Sequence, residues 1–543
     1  MRNETCLSLL TQLIDRHSIR ASSPGSETFL SYVATEVVFV QSEPAPFVLS
    51  HHLRGLIALW LGGAFGVFAF AGARGLGASI WLAIVVAVGV TAAVAWVFWK
   101  CPIVSLDKNA ASSALSILFL LAAIASLVHL VRLCVFVVNP AAMGYALGPH
   151  RGAGLPPSHL CMTAYYVAAQ SVATAPDIYD EYRLYSFPTQ DPDAPRNART
   201  IGQFNIDAYE YPPPFLLLPR ALAIVAPQFL NFRMLWFALC GSVVLIGLLA
   251  VTRMFDPVIG TRALLLLPLM LGAEVTIGTL QIGNLQAAVI ALAMLAMVLL
   301  TRGRYAAGGV LLAFVTVGKL FPAMLIVYLA VRREWRAVAW TVGVCAALVG
   351  ISLLDTGTAP YHAFGHHLPK LLSGEAFPAF RRPGGIATNL SVPGLFFKLK
   401  LFGLPNGSFA LMKIVGSIYT LIVLAATMVI GMRKVTRNEQ PLIWLTILIL
   451  ASLRSPFLPS YGLFPVMWLL ILLTATVVPA VRALALMLVA WAALNIPLPI
   501  NGANAKIIAA MALLSQAVIV VLLVLTLRRG RESSVGMQPA GSS

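Results

Sequence analysis

Charged residues are scarce in this 543-residue chain. Asp, Glu, Lys and Arg make up 10% of it, and 59% of the residues are hydrophobic. Soluble globular domains are about 25% charged, because a soluble protein needs a charged surface. The composition therefore excludes an ordinary soluble enzyme. Many apolar runs reach the roughly 20 residues that cross a bilayer. The sequence predicts an all-α polytopic membrane protein.

Cysteine is also scarce, and its spacing excludes two kinds of site. The six cysteines contain no pair at the close spacing of a zinc site or a redox motif. Several lie within apolar runs, where a thiol behaves as a small hydrophobic group, so we expect no disulfide framework. Residues 1–28 are polar and lack the apolar core of a cleavable signal peptide.

Acidic residues are fewer than basic ones, and the formal net charge is +17. In a soluble protein this charge would suggest a nucleic-acid partner. Here the basic residues lie mostly in short loops between apolar runs, as at 332–336 and 433–437. This is the positive-inside pattern of cytoplasmic loops. The charge therefore indicates membrane orientation, and we expect no nucleic-acid partner.

The apolar runs divide the chain into four predicted parts. These are a polar tail at 1–50, two N-terminal transmembrane helices at 51–110, the main transmembrane domain at 111–530 and a cytoplasmic tail at 531–543. About eleven to thirteen spans of about 20 residues fit the apolar runs. Two polar stretches, 140–214 and 355–408, interrupt them, and the charge rule places both on the external face.

The stretch 140–214 is the longest polar segment and holds seven of the twenty acids. Carboxylates near a bilayer can act as a general base on an acceptor hydroxyl. For any single acid the alternative is a solvated loop charge. The concentration of acids makes this stretch a candidate wall of a membrane-embedded active site.

Three groups of polar residues lie inside or beside apolar runs. They are Gln281, Asn284 and Gln286 with Glu274 upstream; Lys319 before Pro322; and Arg454 with Ser455, Pro456 and Tyr461. An ionisable group at membrane depth costs a few kcal/mol or more unless it is paired. Lys319 and Arg454 are therefore functional candidates. The alternatives are snorkelling to an interface or a structural salt bridge, for which Glu274 is a possible partner.

Acids in one wall and cations in another suit glycosyl transfer from a lipid phosphate. Lys and Arg could hold the phosphate, whose charge grows as it leaves with the lipid. The histidines His362, His366 and His367 raise the question of a metal. We interpret their surroundings as a loop without an acid at ligand spacing, so no metal site is predicted. Whether a divalent metal takes part stays open.

Five short segments carry a family resemblance by their order. They are Tyr211–Leu222 (YPPPFLLLPRAL), Gly278–Gln286 (GTLQIGNLQ), Ala307–Arg336 with its Gly-rich helix and Lys-x-x-Pro, Asn389–Leu399 (NLSVPGLFFKL) and Arg454–Val466 (RSPFLPSYGLFPV). Together they resemble glycosyltransferase family 87, of the GT-C superfamily of polyprenyl-phosphate-sugar-dependent transferases. The resemblance runs from about residue 113 to 475. Relative to the family's Gly-Gln-x-Asn element, the two amides are exchanged at Asn284 and Gln286.

The resemblance implies a GT-C-like helical bundle with a large external first loop. It implies an inverting transfer from a polyprenyl-phosphate sugar, with mannose favoured among hexoses and pentoses, to a lipid-linked or cell-envelope glycan. Expected partners are membrane lipid, donor and acceptor, with no further cofactor. The site would face the periplasm or exterior of the inner (plasma) membrane. Predicted donor-phosphate or substrate contacts come from Lys319, Arg454, Arg381, Arg382, Gln281, Asn284, Gln286, Asn389 and Tyr211.

One departure from the family concerns the catalytic base. Family members carry an aspartate a few residues before a Tyr-rich, Ala-rich helix of the first loop. Here that helix is Thr163–Gln170, and residues 157–162 contain no acid. The candidate replacements are Asp180, Asp207, Asp177 and His159, of which Asp180 and Asp207 are favoured. A histidine qualifies because its unperturbed pKa is near 6.5.

Two other functions remain open from the sequence. A lipid or glycolipid transporter or flippase would also use broken helices and buried cations. A catalytically inactive GT-C relative would account for the missing aspartate.

Overall fold

The computed structural model describes residues 51–100, 110–139, 160–175, 177–180, 184, 200–404, 407–477, 481–495 and 504–535. The predicted tail at 1–50, the candidate base His159 and most of the acidic stretch lie outside these residues. What is described is helical, apart from one short hairpin.

The first half of the described chain leads into and out of the hairpin. Its elements are α1 (His51–Gly75), α2 (Ile80–Lys100), α3 (Ala110–Val138), α4 (Leu160–Ser171), β1 (Thr200–Ile201), β2 (Phe204–Asn205), a 3-10 helix (Pro213–Leu216), α5 (Leu217–Val225), α6 (Phe229–Thr252), α7 (Pro257–Leu271), α8 (Glu274–Ile282) and α9 (Gln286–Thr301). The strands pair antiparallel, with Thr200 opposite Asn205 and Ile201 opposite Phe204.

The second half consists of helices joined by turns and loops, with no strand in its described residues. Its elements are α10 (Tyr305–Gly318), α11 (Ala323–Val331), α12 (Trp335–Thr356), α13 (Ala359–Ser373), a 3-10 helix (Pro378–Arg381), α14 (Pro383–Thr388), α15 (Leu395–Lys400), α16 (Phe409–Gly431), α17 (Gln440–Ser452), a 3-10 helix (Ser460–Leu463), α18 (Phe464–Thr476), α19 (Val481–Asn495) and α20 (Ala505–Val535).

Long apolar helices confirm the predicted all-α polytopic membrane protein. Seven described helices are long and apolar enough to cross a bilayer: α1, α2, α3, α6, α12, α16 and α20. The bent pair α7–α8 makes an eighth if it is one span, and six more apolar helices have only 10–17 residues. The predicted eleven to thirteen spans therefore exceed the number of helices with full span length. The difference lies in the short helices.

Burial separates a central core from a lipid-facing rim. The indoles of Trp236 on α6, Trp444 on α17 and Trp468 on α18 are almost fully buried. By contrast, α2 packs against α1 and exposes most of its surface, including 75% of Trp81. Since soluble proteins rarely leave so large an apolar surface uncovered, lipid is the natural neighbour of this rim.

Several basic loops meet at one end of the bundle, which we call the basic end. Arg437 donates to the Met254 carbonyl at 2.9 Å, and Arg332 donates to the Arg433 carbonyl at 3.1 Å. Arg302 lies within electrostatic range of Arg437. Loops that the charge rule assigned to one side of the membrane are thus neighbours in the structure.

Two helix breaks lie away from the basic end. Helices α7 and α8 meet at an angle of 54°. The apolar run at 306–331 is long enough for a single span, but the structure divides it between α10 and α11. Pro322 explains this break: it lacks an N–H and its ring would clash with the carbonyl of Gly318, four residues earlier. Lys319 is left in an extended conformation between the two helices.

The second polar stretch is more ordered than predicted. The three histidines lie on helix α13, so their assignment to a loop is wrong. Apolar residues on one face of α13, among them Ala363 and Phe364, pack against the core, while His362 and His366 are exposed. This amphipathic spacing, rather than overall polarity, is the signal for the helix.

Candidate active site

A tight turn between α8 and α9 presents two amide side chains. Gly283 ends α8 in the left-handed conformation (φ 71°), which favours glycine. A Cβ atom here would come within 2.6 Å of Met162. The next residue, Asn284, accepts the Gln286 N–H at 2.8 Å and so starts α9. The run Gly-Asn-Leu-Gln therefore builds the turn and aims its two amides together.

The Lys319 ammonium lies against these amides. Its Nζ donates to Gln286 Oε1 at 2.8 Å and is 3.4 Å from Asn284 Oδ1. Nζ also lies 5.3 Å from the centre of the Tyr211 ring and 5.5 Å from that of Tyr461. Amide oxygens and aromatic faces stabilise a cation without neutralising it. The site thus keeps its positive charge available for an anion.

Tyrosines form a rigid wall beside Lys319. Tyr165 donates its hydroxyl proton to the Tyr211 hydroxyl at 2.7 Å, and their rings meet edge to face at 5.0 Å. Asn284 Nδ2 donates to the Tyr211 hydroxyl at 3.3 Å and to Cys161 Sγ at 3.1 Å. Burial raises the pKa of Tyr211 well above its usual 10. The phenol therefore stays neutral and acts as a hydrogen-bonding group.

Two carboxylates lie within electrostatic range of this wall. Burial, and then the charge of Asp207, raise the pKa of Cys161 to about 12, and Glu210 acts in the same direction while Lys319 opposes it. The thiol is therefore neutral at physiological pH. Glu210 also acts on Lys319. Asp207, Glu210 and Lys319 thus all lie within electrostatic range of Cys161.

Helix α4 positions Asp207 through a single side chain. The Thr163 hydroxyl donates to the Asn205 carbonyl at 3.1 Å and accepts the Asp207 N–H at 3.1 Å. Thr163 opens the Tyr-rich helix, just after the place where the resemblance implies an aspartate. Asp207, which follows β2, is therefore held beside the helix whose preceding residues 157–162 contain no acid.

A buried arginine braces the hairpin. The Arg233 guanidinium lies 4.9 Å from the centre of the Phe204 ring and 5.1 Å from that of Phe136, and it donates to the Phe136 carbonyl. Arg233 belongs to α6, Phe136 to α3 and Phe204 to β2. Three elements thus fix the short hairpin from which Asp207 follows.

The other candidate acids, Asp177 and Asp180, come before the hairpin in the chain. Asp177 Oδ1 accepts the Tyr179 N–H at 2.7 Å, and Tyr179 in turn donates to the Tyr211 carbonyl at 2.7 Å. The Asp180 side chain is half-buried, and Asp177 is exposed. The charges that act on the tyrosine wall are those of Asp207 and Glu210. Catalytic roles for Asp177 and Asp180 stay predictions, and the geometry favours Asp207.

The side-chain amide of Asn389, a predicted substrate contact, is hydrogen-bonded to backbone groups. Its Nδ2 donates to the Pro456 carbonyl at 2.8 Å, and its Oδ1 accepts the N–H groups of Ser391 at 3.0 Å and Leu458 at 2.9 Å. The residue is fully buried. These contacts join two of the family-like segments, and they leave the amide little capacity for a substrate.

The remaining predicted contacts are spread over other places. Arg454 Nε donates to Thr420 Oγ1 on α16 at 3.1 Å, so its guanidinium lies against that helix. Gln281 is fully buried on α8. Arg381 is half-buried, and Arg382 is exposed. Substrate contacts by these four residues stay predictions. No group of three His, Cys, Asp or Glu side chains within the described residues is placed to hold a metal ion.

A family model matches the segment that contains most of the residues of this site. Residues 209–460 match glycosyltransferase family 87. The match confirms the resemblance over a narrower range than 113–475, a little under half of the chain. It contains Glu210, Tyr211, Lys319 and both amides, and it begins just after Asp207. A comparison with curated proteins found no match. The family-87 match supports a glycosyltransferase activity within a multi-pass membrane protein.

Sequence reasoning missed three contributors to the site. Cys161, Thr163 and Tyr165 lie in the first two turns of α4 and contact Asn284, Asp207 and Tyr211 respectively. All three belong to the Tyr-rich helix. From the sequence, this helix served only to locate the position at which the resemblance implies an aspartate. Glu210 is one of the seven acids of the stretch 140–214, and its place directly before Tyr211 is the sequence signal for its position in the site.

Proposed function

We propose that the protein transfers a sugar from a polyprenyl-phosphate donor to a hydroxyl of a lipid-linked or cell-envelope glycan. The observation that carries this proposal is the enclosure of the Lys319 ammonium by two amides and two tyrosine rings, with Asp207 and Glu210 nearby. A cation that is not neutralised suits a phosphate, and a separate carboxylate suits an acceptor hydroxyl.

The reaction balances with these groups alone. The Asp207 carboxylate takes the proton of the acceptor hydroxyl, whose oxygen attacks the anomeric carbon of the sugar. The bond between that carbon and the phosphate oxygen breaks, and its electron pair leaves with the polyprenyl phosphate. Lys319 stabilises the negative charge that grows on this phosphate, in a site where tyrosines exclude water. Attack opposite the leaving group gives inversion.

Glu210 has a supporting role in this scheme. It lies within electrostatic range of both Lys319 and Tyr211. Its charge favours the protonated ammonium before the donor binds. We therefore assign the base to Asp207 and electrostatic support to Glu210.

The position of the basic end supports an external location for the Lys319 site. The site residues lie at the helix breaks, and the basic loops meet elsewhere in the bundle. Since basic loops stay in the cytoplasm, we place the Lys319 site near the external face of the plasma membrane. A donor whose phosphate remains at that interface fits a site at this depth.

The test is a donor scan with the purified full chain in liposomes. Polyprenyl-phosphate mannose, glucose and arabinose are supplied separately with an extract of the cell envelope as acceptor. Transfer from one donor, with release of polyprenyl phosphate, supports the proposal. Movement of the donor across the bilayer without bond breakage would instead identify a flippase. No transfer from any donor, together with donor binding, would identify an inactive relative.

A further inference from the structure

A second cavity lies at the basic end of the bundle. Its volume is about 310 Å³, and it is enclosed by the start of α7, the ends of α16, α18 and α20, and the loop before α17. Small-molecule pockets in proteins measure about 300–1,000 Å³, so this cavity can hold a small group or a headgroup. None of its lining residues belongs to the Lys319 site.

The cavity has an apolar side and a basic side. The apolar side is formed by Ile430, Leu442 and Ile443, which are buried, and by the half-buried Ile259. A ligand with both an apolar and an anionic part would fit this division better than a free ion, because a free ion would leave the apolar side without a partner.

The basic side has an excess of positive charge. Its charged members are Arg433, Lys434, Arg529 and Glu439. Glu439 Oε2 accepts the Thr436 N–H at 2.9 Å, and Arg529 donates to Thr476 Oγ1 at 2.6 Å. Across the described residues, no hydrogen bond or ion pair involves the side chains of Arg433 and Lys434. Two cations without a partner therefore line a cavity with an apolar wall.

We propose that this cavity binds the phosphate of an anionic phospholipid from the cytoplasmic leaflet. Arg433 and Lys434 would hold the phosphate, and the first part of an acyl chain would lie over Ile259 and Ile430. The charge rule places the basic end at the cytoplasmic surface. Anionic lipids give that surface its negative potential, and basic pockets between transmembrane helices bind their headgroups. The proposal is independent of the transferase activity.

The test measures thermal stabilisation of the purified full chain in mixed micelles. Phosphatidylglycerol is compared with phosphatidylcholine at equal mole fraction. A ligand that binds only the folded state raises the melting temperature. We expect phosphatidylglycerol to give a shift several degrees larger than phosphatidylcholine. The double variant R433Q/K434Q should lose at least half of that difference.

Two further variants separate the cavity from charge in general. R302Q/R304Q removes the same charge from exposed positions at the same end, outside the cavity, and should keep the full difference. Ile259→Trp keeps every charge, fills the apolar side and should lose the difference. Equal losses in both double variants, or an unaffected Ile259→Trp, would overturn the proposal.

A third arm distinguishes a lipid from a free phosphate. Glycerol 3-phosphate and inorganic phosphate carry the anion without an acyl chain and should leave the melting temperature unchanged at the same concentration. An equal shift with either would overturn the lipid assignment. If R433Q/K434Q does not fold, the single variants are compared by native mass spectrometry. We then expect at least threefold fewer bound phosphatidylglycerol molecules, and unchanged occupancy would contradict the proposal.

Discussion

Thr163 and Asp207 are joined by a hydrogen bond of 3.1 Å from the Asp207 N–H to the Thr163 hydroxyl oxygen. This contact brings an acid from beyond the hairpin to the first turn of the Tyr-rich helix. The helix that has no aspartate ahead of it therefore has Asp207 beside its first turn. Residues 157–162 lack the aspartate that the family resemblance implies, and the Thr163–Asp207 hydrogen bond places another aspartate next to the same helix.

The Thr163 hydroxyl can be removed with little change of shape. Thr163→Val leaves the Asp207 N–H and the Asn205 carbonyl without this partner, which costs about 1–3 kcal/mol where such groups are buried. Because the base is displaced rather than removed, we expect kcat to fall about ten- to a hundredfold with little change in donor KM. Thr163→Ser keeps the hydroxyl and should restore most of the rate. A lower melting temperature without a change in kcat would show a structural role alone.

Lys319 can be tested against a lysine outside the site. Lys319→Met removes the proposed phosphate-binding charge and should raise the donor KM at least tenfold, as measured by initial rates. Folding should be retained, since a buried charge is costly and a neutral side chain of similar length removes that cost. Lys413→Met changes an exposed lysine on α16 and should behave as the native protein. Equal donor KM values in both variants would argue against the phosphate assignment.

The turn before the amide pair depends on glycine. Gly283→Ala places a Cβ in the left-handed region and within 2.6 Å of Met162, so we expect a loss of about 1–3 kcal/mol of unfolding free energy and reduced activity. Gly343→Ala is the matched control, because its added methyl meets nothing within 4 Å in the middle of α12. It should be neutral or stabilising by up to about 1 kcal/mol. Thermal unfolding in detergent compares the two, and equal shifts would show that the turn is not strained.

The sequence predicted the helices better than their breaks. Apolar periodicity predicted a protein of long membrane-spanning helices, because burial in lipid demands long apolar runs. It joined α10 to α11 across Lys319, although Pro322 was visible. It also treated α13 as a loop, because overall polarity concealed an amphipathic face. These errors occur where tertiary contacts, rather than composition, decide the backbone.

The candidate site was predicted in part. Lys319, Asn284 and Gln286, which are polar groups in an apolar setting, do gather, and Tyr211 from the first family-like segment joins them. The choice among the acids could not be made from the sequence, because Asp207 reaches the site only through Thr163. Asn389 is a predicted contact because it begins a family-like segment, but backbone groups occupy its amide.

Asn389 allows a test of structure against binding. Asn389→Ala removes three buried hydrogen bonds and should lower the unfolding free energy by about 2–4 kcal/mol. Gly394→Ala should act in the same way, because its Cβ would lie 1.9 Å from Asn389 Nδ2. For the fraction that remains folded, the donor KM should be unchanged in both. A large rise in KM at native stability would restore Asn389 as a substrate ligand.

His367 gives the contact between α13 and the first loop a pH dependence. Its ring stacks on Tyr179 at 4.8 Å, and burial, followed by the charge of Lys370, lowers the pKa of His367 to about 4. The folded pKa is below the unfolded value of about 6.5, so the stabilisation is complete above pH 6.5 and is lost as the pH falls towards 4.

Hydrogen exchange at residues 177–180 measures this contact. We expect exchange to increase on acidification from pH 7.5 to 5, after correction for the intrinsic rate. His367→Phe keeps an aromatic ring without a titrating group and should abolish the increase. The same increase in His367→Phe would assign the pH dependence to another group.

The role of Asp207 is the central claim of this account. The direct measurement is single-turnover transfer from a polyprenyl-phosphate sugar in liposomes, with donor binding measured in parallel, for the native chain, Asp207→Asn and Asp180→Asn. We expect the rate constant of Asp207→Asn to fall at least a hundredfold at native donor affinity, and that of Asp180→Asn to change less than threefold. A native rate in Asp207→Asn, or a collapse confined to Asp180→Asn, would contradict the account.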